Sequence, residues 1–271
     1  MNELERNMVN VLKELKDSYG VDGVKAEFEA EGTRLGEALR LKEIVTAAGL
    51  DLTIKIGGGE AIFDMRWCKT IGVARIVAPM IESAYALKKY VQAIKDVCQE
   101  DEREDVQIAI NVETITSYKN FDSMLALPEA KVLNGIVLGR VDLVGSMGLS
   151  REVINSSSEV IEIARTLFTK AHKQGLETAL GGGVSADTIG FIHNVGKGLV
   201  DRYETRKVIF GCPGGIPPKN AAKGILAANR FELLWLHNKE NYYTMIATED
   251  AARLTMLRAR YDRLVEDAGT C

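Results

Sequence analysis

Residues 107–113 read Gln-Ile-Ala-Ile-Asn-Val-Glu, and residues 135–143 read Gly-Ile-Val-Leu-Gly-Arg-Val-Asp-Leu. Each stretch contains a short run rich in Ile and Val, which is typical of a buried β-strand. The intervening residues 115–126 have the apolar spacing of a helix. A strand, a helix and a second strand form the unit of a parallel sheet, so this region predicts a βαβ fold.

The same alternation extends over most of the chain. The predicted strands are 23–28, 52–56, 75–80, 107–112, 135–138, 177–180, 199–203 and 207–210. The predicted helices are 2–18, 35–48, 60–71, 82–100, 115–126, 159–174, 185–195, 218–238 and 248–267. Eight strand segments without a long linker favour a closed (β/α)8 TIM barrel over an open doubly wound sheet, although no helix separates the last two strands. We therefore predict a single α/β domain, with an N-terminal helix in 1–20, the barrel core in 21–216 and extra C-terminal helices in 217–271.

The composition is that of a folded, slightly acidic protein. The 271 residues are 46% hydrophobic and 27% charged, with a formal net charge of −4. This charge does not favour nucleic-acid binding, and no segment approaches the roughly 18 consecutive apolar residues of a membrane span. The N-terminal residues lack the apolar core of a signal peptide, and the cysteines form no CxxC pair, so we expect a cytoplasmic protein with free thiols.

Polar side chains alternate with apolar ones inside several predicted strands. Lys25 and Glu27 do so in the first strand, Lys55 in the second, and Asn111 and Glu113 in the fourth. The helix-facing side of a barrel strand is apolar, so these polar side chains should point into the barrel. Buried charges are costly unless they pair or bind a ligand, which predicts an active site at the carboxyl ends of the strands. The alternative is a sheet with one solvated face.

Two carboxylates follow neighbouring strands of this predicted barrel. Glu113 ends the fourth strand, and Asp142 follows the fifth. Carboxylates with room for water are the ligands of a hard divalent ion such as Mg²⁺ or Mn²⁺. The turn Gly139-Arg140-Val141 before Asp142 could offer backbone N–H groups to a substrate carboxylate. Taken alone, the two acids are explained equally well by salt bridges to Lys55 or Arg202.

Two glycine triplets follow predicted strands and precede predicted helices. They are Gly57-Gly58-Gly59 and Gly181-Gly182-Gly183. Backbone N–H groups at such positions could bind a phosphate or a carboxylate, and a tight turn that needs positive φ explains either triplet equally well. The three histidines all lie in predicted helical segments, so proton transfer should fall to Glu, Lys or a metal-bound water.

The motifs of residues 72–148 resemble those of the HpcH/HpaI aldolase and citrate lyase family. Ile76-Val77-Ala78-Pro79-Met80-Ile81-Glu82 is similar to a strand motif of that family. Val112-Glu113-Thr114, the segment 135–143 and Met147-Gly148 are similar to its metal-site signature. The resemblance implies a barrel in which Glu113 and Asp142 hold the metal.

In this family the metal chelates the carboxylate and keto oxygens of a 2-oxo acid. It stabilises the enolate that forms when a carbon–carbon bond is made or broken, which is Lewis-acid catalysis. Relatives act on hydroxy-oxo acids or on citryl- and malyl-type thioesters. Two family residues are absent here. The early Asp-x-Glu-His segment is replaced by residues 27–32 without histidine, and Lys55 stands where the family has an arginine.

The leading hypothesis is a Mg²⁺- or Mn²⁺-dependent carbon–carbon lyase or aldolase that acts on a small carboxylate substrate through an enolate. Lys55 is the predicted carboxylate or oxyanion clamp, and Lys25, Glu27 and Arg202 are candidates for acid–base work and charge pairing. Gly57 and Gly58, with Gly139, Arg140 and Val141, are the candidate substrate-binding residues. The alternatives are a phosphoenolpyruvate-using transferase or mutase of the same superfamily, and an inactive barrel that serves as a binding protein.

The last predicted helix suggests an oligomer. Thr248 is a favourable N-cap, and Leu254, Leu257, Tyr261 and Leu264 recur at steps of three and four residues. Because eight strands precede this stripe, it should pack against a second copy in a homo-oligomer. The alternative is that it folds back over its own barrel as the eighth helix.

Overall fold

The computed structural model describes residues 1–215, 217 and 219–269. Within these residues, eight strands form a closed barrel in the order of the chain. The strands are β1 (Val21–Glu27), β2 (Asp51–Lys55), β3 (Arg75–Ala78), β4 (Gln107–Val112), β5 (Gly135–Gly139), β6 (Glu177–Gly181), β7 (Arg202–Glu204) and β8 (Val208–Gly211). The predicted TIM-type barrel is confirmed, and the open sheet is excluded.

Helices alternate with the strands through most of this order. They are α1 (Glu3–Tyr19), α2 (Leu35–Ala47), α3 (Ile62–Ile71), α4 (Ala84–Val97), α5 (Ile115–Leu125), α6 (Arg140–Ser146), α7 (Ser158–Lys173), α8 (Thr188–Val195) and α9 (Ala221–Ala268). Capping explains several ends: the Asn2 side chain accepts from Glu5 at the start of α1, and Gly20 ends that helix with φ 70°. The short helix α6 is not among the predicted helices, and it begins within Gly139–Asp142, which the sequence analysis interprets as a turn.

The barrel is mixed and not wholly parallel. β1 to β7 pair in parallel, but β8 is antiparallel to both β7 and β1. Only residues 205–207 separate β7 from β8. A parallel connection needs a dozen residues or more, so this short link forces a hairpin. The expectation of an all-parallel sheet is therefore wrong at β8.

The barrel interior contains one layer of small apolar side chains. Val77, Ala109, Val137 and Ala179, from β3 to β6, form this layer and are separate from the main core between the barrel and its helices. Charged side chains lie in the barrel on both sides of the layer. Those on the carboxyl side of the strands form the candidate site described below.

The two predicted C-terminal helices are one helix. α9 runs without a break through residues 239–247, and the predicted start at residue 218 and the boundary at residue 216 lie outside the described residues. Thr248 is not an N-cap, since its hydroxyl donates to Thr244 O within the helix. The first part of α9 packs on α1, where Gly224 lies against Tyr19 and Trp235 is buried.

The distal part of α9 does not fold back over the barrel. In the described chain, residues 244–264 are all exposed, including Leu254, Leu257, Tyr261 and Leu264. The fold-back alternative is therefore wrong for this chain. None of the helices in the described residues has both the length and the apolar character that a membrane span needs.

Candidate active site

A cavity of about 400 Å³ opens at the carboxyl ends of the barrel strands. The strand register brings its side chains together: Glu27 pairs with Lys55 across β1 and β2, and Gly139 pairs with Gly181 across β5 and β6. The cavity collects most of the residues predicted from the sequence, namely Lys25, Glu27, Lys55, Glu113, Gly139, Val141 and Asp142. The clustering expected from strand alternation is thus present.

Lys25 lies at the centre of a buried charge network. Its ammonium group contacts Glu204 and lies 3.4 Å from Glu27 Oε1. Burial alone would lower the pKa of Lys25, but the carboxylates of Glu204 and Glu27 outweigh burial and raise the pKa. Lys25 therefore carries a positive charge at neutral pH.

Lys55 faces the same carboxylates from β2. Its Nζ lies 2.7 Å from Glu29 Oε2 and 3.8 Å from Glu27 Oε2. Burial opposes the charged form, yet Glu29, Glu27 and Glu113 together raise the pKa of Lys55. The pKa of Glu27 is lowered, because Lys25 and Lys55 outweigh the effect of its own burial. Both lysines are therefore protonated and Glu27 is ionised.

Glu113 is held rigidly at the end of β4. It is 2% exposed, Oε1 accepts from the Met80 N–H at 2.9 Å, and Oε2 accepts from Asn111 Nδ2 at 2.8 Å. A Cβ on Gly139 would come within 2.7 Å of Glu113 Cβ, so only glycine fits there. Burial raises the pKa of Glu113, and the negative charge of Asp142 acts in the same direction.

The donor set suits a hard divalent cation. Glu113 and Asp142 are two carboxylates that face one cavity of sufficient size for water molecules, as Mg²⁺ and Mn²⁺ prefer. Their mutual repulsion and the burial of Glu113 would both be relieved by a positive ion. No group of three or more His, Cys, Asp or Glu side chains with metal-binding arrangement occurs in the residues described. A metal here would therefore need oxygen ligands from solvent or substrate.

The second glycine triplet forms part of the cavity wall. Gly182 and Gly183 have φ of 78° and 64°, which is the left-handed region that glycine adopts readily. A Cβ on Gly182 would come within 2.6 Å of the Arg140 backbone nitrogen and 2.7 Å of that of Val141. Both the turn and a close approach therefore require glycine at this position.

Three predicted site residues, Arg202, Gly57 and Gly58, do not line the cavity. Arg202 lies at the amino end of the barrel, where it pairs with Asp22 at 3.1 Å and Glu177 at 3.3 Å. The structure thus does not support the predicted catalytic role of Arg202, since residue 202 begins β7 and Glu204 ends it. Gly57 donates its backbone N–H to Asp64, and neither Gly57 nor Gly58 lines the cavity.

Arg140 also differs from the prediction. Its side chain is fully buried behind the Gly181–Gly183 turn and does not line the cavity. Burial alone lowers its pKa. Only the backbone of Arg140, at the start of α6, lies beside the cavity wall.

The structure adds Glu204 and Arg151 to the cavity, and Asn111 also lines it, as its position in the fourth strand predicts. Glu204 could have been found from the sequence, because it follows Arg202 by two residues and so shares its face of β7. Arg151 could not, because it lies in a single turn of 3-10 helix (Arg151–Val153) between α6 and α7, outside the barrel strands.

A second, larger cavity of about 620 Å³ lies between α1, α2 and α9. Its acidic side chains already have cationic partners: Glu5 binds Arg40, and Glu37 binds Lys239 at 3.1 Å. It also lies outside the barrel, and no strand residue lines it. The smaller cavity in the barrel is therefore the better candidate for catalysis.

Comparisons with known proteins identify the family of the chain. The family model of HpcH/HpaI aldolase/citrate lyase matches residues 32–188, more than half of the chain. The matched segment includes Lys55, Glu113 and Asp142 but not Lys25, Glu27 or Glu204. No curated protein matches the chain in sequence.

Several solved structures share the fold. An HpcH/HpaI aldolase from Desulfitobacterium hafniense DCB-2 has a TM-score of 0.56 and 15% identity, over 70% of this chain and 79% of that one. Citrate synthase SbnG has a TM-score of 0.53 and 15% identity, over 66% and 75%. An HpcH/HpaI aldolase/citrate lyase family protein from Burkholderia cenocepacia J2315 has a TM-score of 0.52 and 14% identity, over 65% and 76%. At such identities the likeness concerns the fold alone.

Proposed function

The chain belongs to the HpcH/HpaI aldolase/citrate lyase family, and from this premise we propose that it is a divalent-metal-dependent carbon–carbon lyase or aldolase. The proposed substrate is a small 2-oxo or hydroxy-oxo acid, and the reaction passes through an enolate. The observation that carries the proposal is the pair Glu113 and Asp142, which face one cavity together with two protonated lysines.

Glu113 and Asp142 are the proposed ligands of Mg²⁺ or Mn²⁺. When bound, the ion supplies Lewis-acid stabilisation of negative charge on the substrate oxygens. The hydrogen bonds from Met80 and Asn111 fix the Glu113 carboxylate before any ligand arrives. The backbone N–H groups at Gly139, Arg140 and Val141 are the proposed contacts of the substrate carboxylate.

The lysines and Glu27 complete the proposed chemistry. The ammonium group of Lys55 stabilises the negative charge that develops on the substrate oxygen. It acts as a point charge at a position where the family has an arginine with a planar guanidinium group. Lys25 is protonated and can donate a proton, whereas Glu27 is ionised and can accept one. This division of roles replaces the histidine base that the family uses and this chain lacks.

A thermal-shift experiment with two ligands tests the proposal. A lyase that binds 2-oxo acids should be stabilised more by pyruvate with Mn²⁺ than by phosphoenolpyruvate with Mn²⁺. At equal concentration, the ligand with the lower Kd for the folded protein raises the melting temperature more. The reverse order would indicate a phosphoenolpyruvate-using transferase or mutase. No shift with either ligand would favour an inactive barrel that binds something else.

A further inference from the structure

Arg140 is a buried cation without a carboxylate partner. It is fully buried, and its N–H groups meet only neutral oxygens of the described residues. These are Gly181 O at 3.2 Å, Ile154 O at 3.4 Å, Asn155 Oδ1 at 2.7 Å, Gly182 O at 2.9 Å and Thr188 Oγ1 at 3.3 Å. The guanidinium carbon lies 4.7 Å from the centre of the Phe191 ring. The hydrogen bonds are satisfied, but the charge is not balanced.

Other buried cations of the described chain do have carboxylate partners. Lys25 contacts Glu204, Arg75 contacts Glu177, and Lys207 contacts Glu31. A buried charge without such a partner is costly to stability. A neutral side chain would avoid that cost. We therefore infer that the positive charge of Arg140 serves a function.

The position of Arg140 indicates what balances its charge. Arg140 donates hydrogen bonds to the carbonyl oxygens of Gly181 and Gly182, and the Gly181–Gly183 turn lines the cavity. In a planar trans peptide the N–H points opposite to the C=O. The N–H groups of Gly182 and Gly183 therefore point away from Arg140. Successive N–H groups of this kind form an anion-binding concavity, and a cation on their carbonyl oxygens polarises them further.

We propose that the Gly181–Gly183 turn, backed by Arg140, is an anion subsite of the cavity that takes a carboxylate or phosphate group of the ligand. Arg140 is a positioning residue: it fixes the turn and supplies the positive charge that the ligand's negative charge balances. This inference rests on the proposed function, since it assigns a binding subsite for the same anionic substrate.

Asn155 allows a test that leaves Arg140 in place. Asn155→Asp puts a carboxylate of almost the same shape on the guanidinium, so it should pair the buried cation and keep or raise the melting temperature. The same pairing should weaken anion binding, by about tenfold. Asn155→Ala is the matched control, because it leaves the cation without a carboxylate and should keep anion affinity close to that of the parent.

Calorimetry with two probes gives the readout. The probes are oxalate in the presence of Mn²⁺ and inorganic phosphate without metal, and the probe whose binding weakens in Asn155→Asp identifies the anion class. A purely structural Arg140 would let Asn155→Asp bind both probes as the parent does, which would overturn the inference while leaving the proposed function intact. A parent that binds phosphate but not oxalate would contradict the proposed function alone, and a parent that binds neither would contradict both.

Substitution of Arg140 itself provides a second comparison. Arg140→Lys keeps the positive charge but loses most of the hydrogen bonds. Arg140→Met loses the charge and all of the hydrogen bonds. If the charge serves the ligand, Arg140→Lys should bind the probe more tightly than Arg140→Met by about tenfold, with similar losses of melting temperature. Equal affinities of these two variants would also overturn the inference.

Discussion

The backbone N–H of Met80 donates to Glu113 Oε1 at 2.9 Å, and Met80 adopts a left-handed conformation with φ 52° to do so. Among the described residues it is the only non-glycine residue with positive φ. Left-handed backbone is strained for a side chain with a Cβ, and such strain is found where function requires it. The turn after β3 therefore directs the Met80 N–H at the proposed metal ligand.

Substitution of Met80 should reveal this strain. Met80→Gly keeps the N–H and relieves the strain, so its melting temperature should match or exceed that of the parent. Met80→Val places a β-branched side chain at positive φ and should lose stability, by about 1 kcal/mol or more. Thermal unfolding of the three proteins checks the order, and a valine variant as stable as the parent would show that the strain is absent.

The proposed metal site predicts loss of Mn²⁺ binding in two variants. Glu113→Gln and Asp142→Asn each replace a charged ligand by a neutral amide of the same size, so each should abolish Mn²⁺ binding in calorimetry while the fold persists. Glu232→Gln is the matched control, because Glu232 also lines the cavity without being a proposed ligand. If both ligand variants bind Mn²⁺ as the parent does, the metal site lies elsewhere.

The buried Glu113 carboxyl should also limit stability in a pH-dependent way. Burial raises its pKa in the folded protein above the usual value. An acid with a raised folded pKa favours folding below its unfolded pKa and loses that contribution as pH rises through the folded pKa. Glu113→Gln should therefore be more stable than the parent at pH 7 in the presence of a chelator, with the difference shrinking towards pH 4. A difference that does not change with pH would contradict the raised pKa.

Lys55 should be needed for turnover more than for stability. Its removal leaves Glu27 paired with Lys25, and Glu29 is 32% exposed, so little uncompensated charge is buried. Lys55→Met should lower turnover by well over tenfold, which corresponds to more than about 1.4 kcal/mol of transition-state stabilisation, with a small change in melting temperature.

Lys207→Met provides the opposite pattern as a control. Lys207 is 3% exposed, pairs with Glu31, and does not line the cavity. Its loss leaves a carboxylate buried without its main partner, so stability should fall clearly while turnover of the folded fraction stays near that of the parent. Normal kinetics with a large stability loss in Lys55→Met would instead assign Lys55 to a structural ion pair.

The sequence predicts the parts of the fold that depend on local pattern. Strand alternation placed Lys25, Glu27, Lys55 and Glu113 on the inner face, and the register confirms that they converge. The same pattern could not separate the two ends of the barrel. Arg202 and Glu204 share one face of β7, but the strand has three residues, so one lies at each end.

The direction of strand pairing and the length of the last helix were harder to predict from the sequence. The direction of β8 depends on its partners β7 and β1, which no local pattern encodes. Residues 239–247 contain no glycine or proline, the residues that most strongly disfavour a helix, so α9 continues where a break was predicted. The burial of Arg140 depends on Gly181, Asn155 and Thr188, which are distant in sequence.

The exposed distal part of α9 predicts a homo-oligomer. Leu254, Leu257, Tyr261 and Leu264 are 53–64% exposed and recur at steps of 3, 4 and 3 residues, the spacing at which two helices pack side by side. A second copy carries the same stripe and is the partner that we propose. Truncation after Thr248 should therefore shift the mass measured by light scattering towards the monomer, and Leu257→Glu with Leu264→Glu in the full chain should do the same without shortening it. A truncated chain that stays folded at the parent's size, or a parent that is itself a monomer, would show that this stripe does not join two copies.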